Sequence, residues 1–144
     1  MEPRINRIEA KFFKCIIQNC DTLKVLELTN FELSLESVQR IFSLCQELAE
    51  LNISEWREGH ILCEKSVKFI CDNLSTKIEK LDISNQRNFG NDEIKTLLRR
   101  CNKLKELALD GMFLERWKEC HKKLFQHLIF YVFLMRRLSK YAKK

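Results

Sequence analysis

Four times in 144 residues the chain writes the same nine-residue pattern: a cysteine or serine, then aliphatic residues at the fourth, seventh and ninth places. The copies are residues 20–28 (CDTLKVLEL), 45–53 (CQELAELNI), 75–83 (STKIEKLDI) and 101–109 (CNKLKELAL). Their leading aliphatics, Leu23, Leu48, Ile78 and Leu104, lie 25, 30 and 26 residues apart. A repeat of this period constrains a chain more tightly than composition does. Each copy is one supersecondary unit that cannot bury its apolar face alone and must bury it against the next.

Within a copy the period is two. In the first, Leu26 and Leu28 face one way and Glu27 and Thr29 the other, as in a strand. Between copies the period becomes helical. Phe13, Ile16, Ile17 and Cys20 share a face, as do Val38, Ile41, Phe42 and Cys45. Val67, Ile70, Cys71 and Leu74 form the third such face, and Ile94, Leu97, Leu98 and Cys101 the fourth. Ser34, and either Asn91 or Asp92, can cap helix starts, with acidic Glu36 and Glu93 in the first turns. Helices are wider than strands, so such units stack into a curve. The expected fold is α/β: a leucine-rich-repeat solenoid of about four repeats, with parallel strands on the concave side and helices on the convex side.

Charge divides the chain in two. Residues 1–111 carry 17 Lys and Arg against 18 Asp and Glu, whereas residues 112–144 carry nine against two. The repeats are therefore assigned to a domain spanning 1–111, and 112–144 to a basic amphipathic helical tail or cap. Its apolar stripe runs through Leu114, Trp117, Cys120, Leu124, Leu128, Tyr131, Met135 and Leu138. That pattern suits a helix covering the end of the stack, or alternatively one lying on an anionic membrane surface. No run approaches the ~18 apolar residues of a spanning helix. Residues 1–14 have no apolar core of a secretory signal, so an intracellular location, nucleus and/or cytoplasm, is expected.

The seven cysteines include no Cys-x-x-Cys pair, and the three histidines (His60, His121, His127) complete no zinc pattern with them. Neither a metal nor any other cofactor is expected. The recurrent cysteines read instead as small apolar plugs where helix meets strand. With three glycines there is no phosphate-binding loop, and no nucleophile is spaced with a base, so the chain is not expected to be an enzyme.

Residues 45–54 (CQELAELNIS), 64–70 (EKSVKFI), 73–84 (NLSTKIEKLDIS) and 91–109 (NDEIKTLLRRCNKLKELAL) resemble the cysteine-containing leucine-rich repeats of F-box proteins. These are the substrate receptors of cullin-RING (SCF) ubiquitin ligases. The resemblance implies a protein-interaction module of the ubiquitination pathway that recognises a protein substrate or accessory protein. Departures accompany it. The family's F-box has no place in this chain, since residues 5–20 are taken as the first repeat's helix, so the ligase adaptor would bind only through an F-box outside it. Where such repeats often carry Cys or Asn, three residues after the last strand aliphatic, this chain has Phe31, Trp56, Gln86 and Met112. The likeness ends at about Asp110. An internal piece of a receptor, or a relative that lost its docking end, is expected; the alternative is a membrane-associated or regulatory adaptor acting through the tail.

The outward strand positions form the candidate partner surface: Glu27, Thr29, Glu50, Asn52, Ser54, Lys80, Asp82, Ser84, Glu106 and Asp110. Five of these are acidic and one is basic, which favours a partner with a basic segment. Nucleic acid is not an expected partner, because the basic residues are not interleaved with any reader motif. Trp56 opens the longest inter-repeat loop, 55–65, where it is a candidate partner anchor; its position is also one at which repeats plug their interior.

Overall fold

In the second repeat the helix α2 (Leu35–Leu44) follows a serine whose side chain can satisfy an orphan N–H, and Ser34 does so, its Oγ accepting from the Ser37 N–H at 3.2 Å. The same alternation of helix and strand runs through the computed structural model, which describes residues 7–29, 31–55 and 61–109. The remaining elements are α1 (Arg7–Asn19), β1 (Val25–Glu27), β2 (Glu50–Asn52), α3 (Glu64–Asn73), β3 (Lys80–Asp82), α4 (Asn91–Arg100) and β4 (Glu106–Ala108).

The four strands form one parallel sheet in chain order, β1-β2-β3-β4. Their register superposes the repeats: Leu26 pairs with Leu51, Leu51 with Leu81, and Leu81 with Leu107. Backbone bonding repeats as faithfully. The carbonyl of Lys24 accepts from both the Ala49 and Glu50 N–H groups, that of Ala49 from Glu79 and Lys80, and that of Glu79 from Lys105 and Glu106. At the other end of each strand, Leu28, Ile53 and Ile83 donate to Asn52, Asp82 and Ala108. Each unit thus completes the backbone bonding of its neighbour.

One core lies between the sheet and the helices. Val38, Ile41 and Phe42 of α2, Val67 and Ile70 of α3, and Ile94 and Leu97 of α4 are buried against the strand leucines and the aliphatics that open each repeat. Burying one such side chain is worth about 1.5–3 kcal/mol, so the repeat pattern is in essence the core. Cys20, Cys45 and Cys101 are buried where helix turns to strand. In the third unit that place falls to Ser75, whose hydroxyl donates to the Gln46 carbonyl at 2.9 Å. Helix-end carbonyls find side-chain partners nearby: Gln46 Nε2 reaches those of Phe42 and Asn73, Asn73 Nδ2 that of Phe69, and Arg100 Nε that of Leu74.

Two local expectations are corrected. The N-cap of α4 is Gly90, not Asn91 or Asp92; both lie inside the first turn, where the charge of Asp92, with that of Glu93, complements the helix dipole without closing a cap. The strands are three residues long, so period-two alternation ends sooner than the nine-residue pattern implies. Residues 112–144 and the proposed tail helix lie outside the described residues. Among the described residues no helix is long and apolar enough to cross a membrane.

Candidate functional site: the outer face of the sheet

Because each strand buries its central leucine, the flanking residues point away from the helices and form two rows across the sheet. The register sets their members. One row runs Val25, Glu50, Lys80, Glu106, and the other Glu27, Asn52, Asp82, Ala108. Adjacent members stand about 4.8 Å apart, the spacing of paired strands. Together they line an open groove of about 400 Å³.

Electrostatically the two rows differ. Lys80 stands between two carboxylates, its Nζ lying 3.7 Å from Glu50 Oε1 and 4.0 Å from Glu106 Oε1. All three side chains are about half exposed, so these contacts neutralise charge locally and hold little folding energy. In the second row Glu27 is exposed and has no ion-pair partner among the described residues. Asp82 spends one oxygen, Oδ1, on the Ser84 N–H at 2.9 Å. The outward acids therefore do not form one uniform strip: Lys80 divides them.

Beside this face a second charge pattern links the units. Lys77 pairs with Glu47 at 2.5 Å and Lys105 with Glu79 at 2.9 Å. Hydrogen bonding to these lysines holds the Glu47 and Glu79 carboxyls below the usual range.

The groove brings together Glu27, Glu50, Asn52, Lys80, Asp82 and Glu106 from the residues singled out in the sequence. Thr29 is half-buried just beyond β1. Ser54 and Ser84 are buried, each about 2% exposed, and do not belong to an open binding face. The cause lies two residues earlier. Asn52 Oδ1 accepts from both the Ser54 N–H (3.0 Å) and its hydroxyl (2.7 Å), and Asp82 Oδ1 accepts from the Ser84 N–H, so the chain turns inward as the strand ends. Asp110 and Trp56 lie outside the described residues.

Sequence reasoning gave no role to Gln86, which is 3% exposed and fills the space between the second and third units. Its Nε2 donates to the Ile53 carbonyl at 2.7 Å and its Oε1 accepts from the Leu62 N–H at 3.0 Å, joining both ends of the segment between those residues. Its signal was the plug position it shares with Trp56. Among the thiols, burial pushes Cys45 and Cys101 up to about 11 and Cys71 up to about 12. Exposed Cys63, just ahead of α3, lies 3.2 Å from the Ser66 hydroxyl, and that hydrogen bond, with the Ser66 backbone N–H, lowers its pKa. Among the described residues no group of His, Cys, Asp and Glu could hold a metal ion.

No protein-family model matches the chain, and no curated protein matches it. Among solved structures, the tropomodulin C-terminal domain of Caenorhabditis elegans is similar, with a TM-score of 0.46 and 13% identity over 88% of this chain and 98% of that one. These comparisons overturn the F-box expectation: nothing in them connects the chain to a ubiquitin-ligase receptor. The structure supplies the reason the residues misled. Cys45, Leu48, Leu51, Ile53, Ile70, Leu81, Ile83, Ile94, Leu97, Cys101, Leu104 and Leu107, which carried the likeness, are all buried. They specify packing, and packing is common to repeats of unrelated purpose.

Proposed function

We propose that this chain is a protein-interaction module, a short leucine-rich-repeat solenoid that binds a partner polypeptide on its sheet face and performs no catalysis. The observation that carries the reading is the register. It aligns two solvent-facing rungs so that eight outward side chains from four separate repeats line a single groove. Parallel repeats of this kind offer an extended, preorganised surface, which limits the ordering cost of association. The groove's polar groups are carboxylates, an amide and a lysine already engaged by Glu50 and Glu106, a set suited to recognition.

The test is photocrosslinking in cell extract from single positions on opposite faces. A photoreactive residue at Val25 or Ala108 should capture a discrete partner, and the Ala108 replacement by Trp should abolish capture from position 25. The same residue at Lys68 or Arg99, exposed on α3 and α4, should not capture it. Capture from the helix positions alone would move the binding surface to the other side and refute the reading.

A further inference from the structure

The rows on the sheet face differ in what they leave unneutralised, and that difference bears on the chemistry of the partner. Lys80 is shared by Glu50 and Glu106, which leaves that row one negative charge in excess. The other row holds Glu27 and Asp82, neither of them in an ion pair with a described residue. These two acids lie on β1 and β3, two strand spacings apart, or about 9.6 Å. In an extended polyproline-II segment, residues three apart face the same way and stand about 9.3 Å apart. The four strands span about 14 Å, which four or five extended residues cross.

Val25 adds a further feature. It is 54% exposed, and it lies two residues from Glu27 on the same outer face of β1. A lysine or arginine paired with Glu27 can lay its aliphatic stem along Val25 while its charge stays in water. From this geometry we infer that the groove takes an extended basic polypeptide segment whose two cationic side chains, three residues apart, pair with Glu27 and Asp82. The inference rests on the sheet face being the partner surface. Polyanions such as nucleic acids are repelled by the same excess, and an acidic segment meets only Lys80, whose charge is already shared.

The test uses the full chain and three labelled peptides of about twelve residues in a proline- and alanine-rich background, read by fluorescence anisotropy. One carries two lysines three apart, one carries glutamines there, and one carries glutamates. The protein is +6 overall, so non-specific attraction favours the glutamate peptide, and preference for lysine is diagnostic of the groove. The lysine peptide should bind, and its affinity should fall as salt rises from about 0.05 to about 0.3 M. Glu27→Gln and Asp82→Asn should each weaken it roughly two- to five-fold, the range of single exposed ion pairs, and Lys80→Gln should strengthen it by a similar factor. Glutamine or glutamate peptides binding as well as lysine, no binding of the lysine peptide, or no effect of Glu27→Gln and Asp82→Asn would each overturn the inference. Ala108→Trp then separates the two levels. If it blocks a neutral or acidic peptide, the face is a docking surface with the wrong chemistry assigned; if bound peptides are indifferent to it, the docking surface falls as well.

Discussion

Gln86→Met tests how the second and third repeats are joined. The substitution keeps side-chain length and volume close to native while removing both an amide donor and a carbonyl acceptor. Two backbone groups lose their partners, the Ile53 carbonyl and the Leu62 N–H, in residues 1% and 2% exposed. An unsatisfied buried polar group costs about 1–3 kcal/mol, so the pair should cost about 2–5 kcal/mol after slight relaxation. At roughly 4 °C per kcal/mol for a chain of this size, the melting temperature should fall by roughly 8–20 °C. Urea unfolding followed by circular dichroism measures the difference, and an unchanged m-value shows that both proteins unfold alike. Asn88→Ala is the comparison: it removes a single bond, 2.7 Å to the Leu62 carbonyl, from an exposed side chain, and should cost about 1 kcal/mol. If Gln86→Met cost less than about 1 kcal/mol, Ile53 and Leu62 would have other partners, and Gln86 would be filler and not a bridge.

Three further outcomes are expected. Ser34→Ala removes the α2 cap and should cost about 1 kcal/mol by chemical denaturation, whereas Asn91→Ala, at a position that caps nothing, should cost less. Brief alkylation at neutral pH should label Cys63 first and leave Cys45, Cys71 and Cys101 unmodified until the protein unfolds; equal labelling in a mass spectrum would contradict their burial. Because those three thiols ionise at about 11 to 12 when folded and near 9 when unfolded, they add stability below pH 9 that is lost as pH rises toward 11, and Cys101→Ala should flatten that loss in stability measured against pH.

The positions of the repeats were readable because one physical constraint, burial against the next copy, acts on every third or fourth residue. Leu26, Leu51, Leu81 and Leu107 are aligned by the sequence pattern and stand in register in the sheet. The outer face was less readable, since no burial constraint acts on it. Ser54 and Ser84 continue the polar alternation on paper, yet alternation holds only while the backbone is extended. The legible cue was Asn or Asp two residues before Ser, a turn signature that competes with strand geometry. Lys80 was identified as the only base on the face, but its engagement with two acids depends on side-chain reach across strands. The F-box likeness failed for a related reason: residues that fill a core report how the chain packs and are silent on what it binds.

The uniform handover of backbone bonds from unit to unit bears on the order in which the chain folds. Paired residues are separated by 25, 30 and 26 positions at the three strand interfaces. The entropy of closing a loop grows only with the logarithm of its length, so the longest and shortest of these differ by about 0.2 kcal/mol. Chain connectivity therefore gives no interface a head start. The first pair of units to assemble is the pair whose helices are best formed on their own, and a single capping residue, worth several times that difference, is enough to change which pair leads.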